Sequence, residues 1–275
     1  MTHPIYPCLW FDGQAKEAAE FYCSVFQQSK IISENPMVVN FEINSQKIMC
    51  LNGGPLYKIN PSISFFVICE EDTEIETLWS KLSENGKIMM PLDTYDWSEK
   101  YGFVQDKYGV CWQIMKGDYA RYHQKIIPSF LFVGNQYNKA ESAVNFYTTI
   151  FPTSEIKELT RYEEGGSLKF SLFTLNNSVF SAMDGFGNHE FTFNEGFTFV
   201  IECDTQQEID TYWEQLIANG GQESQCGWLK DAYGVSWQII PSILKDLMSD
   251  SEKSSKVIQA FLQMKKFDIA TLLNV

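Results

Sequence analysis

The sequence predicts an α+β protein made of two tandem homologous domains and a helical tail. Three observations support this prediction. Long blocks of sequence occur twice in the same order. Each block alternates short β-rich runs with stretches whose apolar residues recur at helical spacing. Hydrophobic residues make up 44% of the chain and aromatic residues 15%, a composition that allows a sizeable core and favours strands over coiled coil or disorder.

The repetition is clearest in one ten-residue phrase. The sequence DKYGVCWQIM at 106–115 returns almost unchanged as DAYGVSWQII at 231–240. An opening strand followed by an amphipathic helix, and a later helix ending in Asn-Gly, also occur once in each half. Repetition of several blocks in one order indicates two copies of one domain. We place the first domain at 1–120, the second at 126–242 and the tail at 243–275.

Each domain is predicted to contain two units with the element order βαβββ. The first helix is expected in QAKEAAEFYCSVF, after the opening strand. Two hairpins follow from polar turns at Asn44-Ser45 and Asn176-Asn177 between β-rich runs. One βαβββ unit cannot bury its own small sheet. We therefore expect the two units of each domain to pair and to line one cup, with the helices outside.

The later helices carry start signals. Thr73 with Glu76 and Thr205 with Glu208 have the spacing of a capping box. In the tail, SEKSSKVIQAFLQMKK predicts a helix with one apolar side, and Asp268 is a candidate cap for a short last turn. The apolar side of the tail is expected to dock on the protein, or alternatively to support a homodimer.

Charge and cysteine content narrow the class of partner. The formal net charge is −14, without a basic cluster, so we expect no nucleic-acid partner and no membrane partner. No apolar stretch approaches the roughly 20 residues that a membrane span needs. The chain has seven cysteines, an odd number, and no CxxC motif. This pattern predicts reduced thiols and a cytoplasmic location.

The sequence resembles the vicinal oxygen chelate superfamily, which includes glyoxalase I, bleomycin and fosfomycin resistance proteins and extradiol dioxygenases. It looks most like the PhnB-like branch, often labelled 3-demethylubiquinone-9 3-methyltransferase. The resemblance covers about residues 4–241 and implies tandem glyoxalase-like domains, each built from paired βαβββ units. It is carried by the segments LWFDGQAKEAAEFY, SISFFVICE, LWSKLSENG, KYGFVQDKYGVCWQIM and QCGWLKDAYGVSWQIIP.

In enzymes of this superfamily, the resemblance implies a divalent metal held in the cup, mostly by His and Glu. The position of the usual Glu on the closing strand is occupied here by Gln113 and Gln238. The chain's histidines, His3, His123 and His189, fall outside the predicted cup strands. We therefore predict no metal and no cofactor. The other ligand positions align with Tyr6 and Ile127 on the opening strands, Ile48 and Phe180 on the fourth strands, and Ser64 and Thr198 on the fifth strands.

Strand alternation selects the candidate pocket residues. If Gln113 faces the cup, Cys111 does too, and Trp112 faces the helices. Each Gln is either a buried amide bonded to neighbouring backbone or a ligand contact. Cys111 has no base near it in sequence and is not predicted to be a nucleophile. The candidates are Tyr6, Cys8, Trp10, Ser64, Cys111 and Gln113 in the first cup, and Ser129, Leu131, Thr198, Ser236 and Gln238 in the second.

These features predict a metal-free protein that binds a small organic molecule, and they leave open whether it is an enzyme. The alternatives are a metal-dependent lyase or dioxygenase of the same superfamily, and the methyltransferase suggested by the family label. Gly185-x-Gly187 is followed by another strand, which disfavours a nucleotide loop. The insertion at 90–103, rich in carboxylates, is expected to be a surface hairpin over the first cup or a cation site.

Overall fold

The computed structural model describes residues 3–163, 166–249 and 253–275. In these ranges the chain forms sixteen strands, eight α-helices and one short 3-10 helix at Gly134–Gln136. The strands are β1 (Tyr6–Phe11), β2 (Ser29–Glu34), β3 (Val38–Ile43), β4 (Gln46–Asn52), β5 (Ile63–Cys69), β6 (Lys87–Tyr95), β7 (Ser98–Gln105), β8 (Cys111–Lys116), β9 (Ile126–Phe132), β10 (Glu155–Arg161), β11 (Leu168–Leu175), β12 (Ser178–Asp184), β13 (Phe197–Cys203), β14 (Gln222–Glu223), β15 (Trp228–Lys230) and β16 (Ser236–Pro241). The helices are α1 (Ala15–Val25), α2 (Asp72–Ser83), α3 (Tyr119–Tyr122), α4 (Ala140–Ile150), α5 (Gln206–Ile217), α6 (Leu244–Ser249), α7 (Ser254–Phe261) and α8 (Ile269–Leu273).

The strands form two eight-stranded sheets, each made of two βαβββ units. Sheet A has the order β14-β15-β16-β13-β1-β4-β3-β2, and sheet B has the order β10-β11-β12-β9-β5-β8-β7-β6. The predicted α+β class and the predicted pairing of units into glyoxalase-like sheets are confirmed. Both predicted hairpin turns form, and all four of their residues have positive φ, as a two-residue hairpin turn requires.

The expected partners within each sheet are wrong. In sheet A the first unit of the chain pairs with the fourth, because β1 runs antiparallel to β13. In sheet B the second unit pairs with the third, through β5 and β9. Because the two repeats are homologous, β1 could pair with β5 of its own repeat or with β13 of the other repeat. The sequence alone does not distinguish these two partners. We propose that 1–120 and 126–242 are sequence repeats that do not each close a sheet of their own.

The repeated phrase forms the same buried hydrogen-bond network in both copies. Asp231 is only 3% exposed. One carboxylate oxygen accepts hydrogen bonds from the backbone N–H groups of Tyr233 (2.9 Å) and Val235 (3.0 Å). The other accepts from the hydroxyl of Tyr147 on α4 (2.7 Å) and from the indole N–H of Trp237 (2.9 Å). The carboxylate therefore receives four donors in a site without water access.

The first copy repeats this arrangement. Asp106 accepts from the hydroxyl of Tyr22 on α1 and from the indole N–H of Trp112, both at 2.8 Å. Desolvation disfavours the charged form of both aspartates, so burial raises the pKa of Asp231 to about 6 and raises the pKa of Asp106 above its ordinary value. Each network joins a helix of one unit to the closing turn of the next unit along the chain.

A shared aromatic core holds the two sheets together. Phe65 of sheet B lies 5.1 Å from Phe197 of sheet A, measured between ring centroids. Phe130 of sheet B lies 5.2 Å from Phe199 of sheet A. These rings belong to one continuous cluster that also contains the apolar faces of the long helices. The two sheets are therefore stabilised by a common core and not by two separate ones.

The tail is helical and docks on its own chain, as one of the two alternatives predicted. Val257, Phe267 and Leu272 are buried in the common core. The backbone N–H of Gly227 donates to the carbonyl of Lys265 at 2.7 Å. Asp268 caps α8 as predicted, since its side chain accepts from the N–H of Thr271 at 2.6 Å. Leu262 does not belong to the buried side, because it is 53% exposed.

Only one of the two predicted capping boxes forms. Thr205 and Glu208 make both reciprocal hydrogen bonds at the start of α5. The Thr73–Glu76 box is wrong, because α2 already begins at Asp72. The Asp72 carboxylate instead pairs with Lys116 at 3.0 Å. Among the helices in the described ranges, none has the length and apolarity to cross a bilayer.

The buried aspartate network should contribute strongly to stability. In Asp231→Asn the amide nitrogen replaces the oxygen that accepts from Tyr147 and Trp237. The tyrosine hydroxyl can rotate, but the indole N–H loses its acceptor. We expect the free energy of unfolding in urea to fall by about 1–3 kcal/mol, the cost of one stranded buried donor.

The matched control for this substitution is Asp12→Asn, because Asp12 is exposed. It should change the free energy of unfolding by no more than about 0.5 kcal/mol. Equal effects of the two substitutions would show that the network around Asp231 does not stabilise the fold.

Candidate functional site

Each sheet has one face against the helices and one face turned away from them. Trp112 and Trp237 lie on the helix side with 0% exposure, as predicted. Their neighbours Gln113 and Gln238 therefore point to the opposite face. We call the face opposite the helices cup A in sheet A and cup B in sheet B. Two smaller clusters of apolar side chains, separate from the common core, lie on these faces.

The candidate residues are distributed differently from the prediction. Cys8 lies directly opposite Thr198, and Ser64 lies directly opposite Ser129. The grouping of Tyr6, Cys8 and Trp10 with Ser64 is therefore wrong, because the opening strand of each repeat pairs with a strand of the other repeat. Cup A carries Tyr6, Cys8, Trp10, Thr198, Ser236 and Gln238, and cup B carries Ser64, Cys111, Gln113, Ser129 and Leu131.

A row of polar side chains crosses cup B. The hydroxyl of Tyr101 on β7 donates to Gln113 Oε1 at 2.6 Å, and Gln113 Nε2 donates to Ser64 Oγ at 2.7 Å. Ser129 is next across the sheet, and Ser181 on β12 is beside it. We call these five residues the polar row. It spans the strand order β7, β8, β5, β9 and β12.

Two members of the polar row lack hydrogen-bond partners. The hydroxyl oxygens of Ser129 and Ser181 are buried, and neither has a protein partner in the described residues. Both residues are 1% exposed. An unpaired buried hydroxyl costs about 1–3 kcal/mol, so such groups usually have a partner in the functional state of a protein. These two groups are therefore the unsatisfied hydrogen-bonding capacity of the row in the described residues.

The rest of cup B is apolar. Phe66 packs against the Tyr101 ring of the row, with 6.4 Å between ring centroids. The predicted insertion forms the β6–β7 hairpin, whose Tyr95 and Trp97 rings stack at 5.0 Å. Trp97 is 57% exposed, so the aromatic wall of the cup continues to the surface. The wall contains Phe66, Ile68, Tyr101, Tyr122, Ile127, Leu172 and Val179, with Met90, Tyr95, Phe103, Met115, Phe170 and Met183 packed against them.

Cup A lacks most of the polar row that crosses cup B. Thr198 stands where cup B has Ser64, and its hydroxyl donates to the carbonyl of Ser236 at 2.7 Å. Cys8 and Met49 stand where cup B has its two unpaired serines. Gln238 lacks a tyrosine partner, and its Nε2 is buried without a hydrogen bond. Cup A therefore offers one unpaired amide where cup B offers two hydroxyls.

The structure gives the two glutamines different environments. Gln113 is a buried amide, but its partners are side chains and not the backbone that one interpretation expected. Gln238 Nε2 has no oxygen or nitrogen acceptor among the described residues, and the weak acceptor beside it is the Cys8 thiol. One residue type at one repeated position thus has two roles, because Tyr101 of the first repeat is replaced by Cys226 in the second.

The thiols of the cups are unsuited to nucleophilic chemistry. Burial raises the pKa of Cys8 to about 12, and it raises the pKa of Cys111 well above its usual range. A thiol with such a pKa stays protonated at neutral pH, and the thiolate is the reactive form. The prediction that Cys111 is not a nucleophile agrees with this direction.

The residues of the cups do not fit a divalent metal. At the position of the usual glutamate, the oxygen of Gln113 is already taken by the Tyr101 hydroxyl. Ile48 and Phe180, which were aligned with ligand positions, lie in the common core and do not face the cups. In the described ranges, no group of three or more His, Cys, Asp or Glu side chains is arranged to hold a metal. Neutral amide and hydroxyl oxygens without a carboxylate or imidazole are a poor donor set for such an ion.

The sequence missed two members of the polar row. Ser181 is not among the predicted residues, because the ligand position on the fourth strand aligns with its neighbour Phe180, which faces the common core. The Asp184 side chain, which accepts from the N–H of Ala140 at the start of α4, would have fixed the register of that strand, since Asn52 does the same at Ala15. Tyr101 has no signal of its own in the sequence, because its contact with Gln113 requires the β7–β8 pairing.

The glycine pair after β12 is not followed by a helix. Gly187 has φ +98°, and residues 185–196 run without regular structure into β13. A phosphate-binding glycine loop places a helix N-terminus directly after its glycines. The interpretation of Gly185-x-Gly187 as a turn agrees with this geometry.

Comparisons with known proteins agree with the fold. Glyoxalase I from Zea mays is 10% identical, with a TM-score of 0.61, and the match covers 91% of this chain and 97% of the maize chain. The PhnB protein from Bacillus cereus is 36% identical, with a TM-score of 0.39, over 41% of this chain and 98% of its own. No curated protein matches the sequence.

The likeness to the maize enzyme, at this low identity, shows a common glyoxalase-like fold and nothing about activity. The family model described as 3-demethylubiquinone-9 3-methyltransferase matches the chain twice, at residues 3–115 and 124–240. The two matches cover most of the chain and correspond to the two repeats. The chain therefore belongs to this PhnB-like family of the vicinal oxygen chelate fold, as two tandem copies.

Proposed function

We propose that the protein binds a small, uncharged organic molecule in cup B, without a metal ion. The observation that carries this proposal is the pair of buried, unpaired hydroxyls of Ser129 and Ser181 on an otherwise apolar face. A pocket for a small molecule typically combines an apolar lining with a few convergent polar groups. A ligand with oxygen or nitrogen atoms at its edge would supply the missing partners.

The charge of the expected ligand follows from the lining of cup B. The polar row is uncharged, and the charged side chains beside the apolar wall, Arg121 and Glu158, already pair with each other. A charged group moved into this face would lose its hydration without gaining a countercharge. An uncharged ring system bearing carbonyl or hydroxyl groups suits the lining best.

The two alternative functions have weaker support. A lyase or dioxygenase of the superfamily would need a metal, and the donor set described above is poor for one. The family description names a methyltransferase, but the glycine pair lacks the helix that would favour a nucleotide-like cofactor. We also propose a reducing compartment such as the cytoplasm, because all seven cysteines are free thiols.

The two glutamines should respond differently to substitution. Gln113→Met removes the acceptor of the buried Tyr101 hydroxyl, so we expect the free energy of unfolding to fall by about 1–3 kcal/mol. Gln238→Met removes an amide nitrogen that has no partner, so its effect should stay below about 1 kcal/mol in either direction. Urea unfolding of the two variants measures the difference. A larger loss for Gln238→Met would contradict the assigned environments.

The ligand proposal can be tested with uncharged fragments. We would screen mono- and bicyclic ring compounds that carry carbonyl or hydroxyl groups, using chemical-shift changes in the methyl and amide spectra. Saturable shifts should map to cup B. In Ser129→Ala and Ser181→Ala the affinity should fall about tenfold, as expected when one ligand hydrogen bond is lost.

The same variants separate a binding role from a structural one. Removing an unpaired hydroxyl should leave the melting temperature unchanged or slightly raised, whereas removing a bonded one would lower it. Ser80→Ala, at an exposed position of α2, serves as the control and should change neither quantity. The proposal fails if no compound saturates, or if fragments bind the two cup variants as tightly as the unaltered protein.

A further inference from the structure

A cleft of about 300 Å³ lies at the end of cup A, at the starts of β1 and β9, where the two sheets meet. It is lined by equivalent positions of the two repeats. Pro7 and Pro128 face it, and so do Ile48 and Phe180. The cleft therefore lies on the approximate two-fold axis that relates the repeats. Its inner walls combine these apolar side chains with Gln46 and Gln124, whose amides bond to the backbone of Ile126.

The symmetry of this cleft is broken at its mouth. One side carries Tyr6, Lys47 and Glu202. The equivalent positions of the other repeat are Ile127, Val179 and Ile68, all of which are buried and apolar. The other repeat packs three apolar side chains at the same positions, so packing at this edge does not require charged residues. The polar triad thus adds paired charges to one end of a cleft whose symmetry-related apolar residues are Pro7, Pro128, Ile48 and Phe180.

The contacts in the triad leave part of its hydrogen-bonding capacity unused. Glu202 Oε1 accepts from the Tyr6 hydroxyl (2.6 Å) and from Lys47 Nζ (2.8 Å). Among the residues that the structure describes, the contact of Glu202 Oε2 is with His3 Nδ1 at 4.0 Å, which is beyond hydrogen-bond distance. Lys47 lies over the Tyr6 ring, 3.9 Å from its centroid, which fixes the ammonium group in place. The ammonium retains donors beyond the one given to Glu202, since it has three.

The charged pair is partly shielded from solvent. The side chain of Lys47 is 35% exposed and that of Glu202 is 23% exposed. A cation and an anion side by side, each with free capacity, match a molecule that also carries both charges on adjacent atoms. Such a molecule would place its anion on Lys47 and its cation on Glu202 without breaking their pair.

We propose that the cleft is a second binding site, for an α-amino acid with an apolar side chain. The ligand carboxylate would accept from Lys47, the ammonium would donate to Glu202 Oε2, and the side chain would enter between Pro7 and Pro128. The cleft volume of about 300 Å³ is at the lower end of the range for small-molecule pockets and suits a ligand of this size. This site is independent of the function proposed for cup B.

The first test uses the unaltered protein and a matched set of probes. L-leucine and L-phenylalanine should bind in calorimetric titration with millimolar or tighter affinity. N-acetyl-L-leucine lacks the cation and L-leucinamide lacks the anion. Each should bind about tenfold more weakly or worse, because a hydrogen bond to a charged group is lost. Equal binding of the capped compounds, or no binding of either amino acid, would overturn the proposal.

Two substitutions assign the site. Lys47→Met and Glu202→Gln should each weaken leucine binding about tenfold or more. Lys245→Met, at an exposed position of α6, should bind leucine like the unaltered protein. Leucine binding that is unchanged in both triad variants would place the amino acid elsewhere and refute the site. Should a triad variant fold poorly, as judged by its melting curve, the probe series on the unaltered protein decides the question.

Discussion

A buried aspartate in each repeat is the contact on which the rest of the arrangement depends. Asp106 binds Tyr22 of α1, and Asp231 binds Tyr147 of α4. Both bonds join a helix of one sheet to a closing turn of the other sheet, because the two units of a repeat contribute to different sheets. Units that are neighbours in sequence are therefore held together through helices and turns. Their strands remain free to pair with the other repeat, and this pairing decides which residues share a cup.

The two cups illustrate how a duplicated scaffold can diverge. The aspartate networks and the tryptophans occur in both copies and hold the closing strand against its helix. The glutamines also occur in both copies, on the opposite face of the sheet. The faces of the cups are not under that constraint. Cup B has serines, Tyr101 and a longer hairpin, whereas cup A has Cys8, Met49 and a glutamine whose amide nitrogen lacks an oxygen or nitrogen acceptor among the described residues. Divergence is thus concentrated on the faces that a ligand would contact, and the common core is similar in both halves.

Much of the fold could be predicted from the sequence, because repeats, hairpin turns and strand alternation are local signals. Such signals alone predict the turns at Asn44-Ser45 and Asn176-Asn177. They also predict that Trp112 faces the helices. The partners of β1 and β5 could not be predicted, since both repeats present equivalent edges. For the same reason the candidate residues were assigned to the wrong cups. Ser181 and Tyr101 were missed, because their place in the polar row depends on the register and pairing of distant strands.

The exchange of strands between the repeats is the central claim, and interstrand nuclear Overhauser effects test it most directly. Cys8 and Thr198 lie opposite each other in sheet A, and Ser64 and Ser129 lie opposite each other in sheet B. Backbone protons of directly opposed antiparallel residues are close enough to give strong cross-peaks. The account predicts cross-peaks between Cys8 and Thr198 and between Ser64 and Ser129. Cross-peaks between Cys8 and Ser64, and between Ser129 and Thr198, would instead show that each repeat closes its own sheet, and would contradict the account.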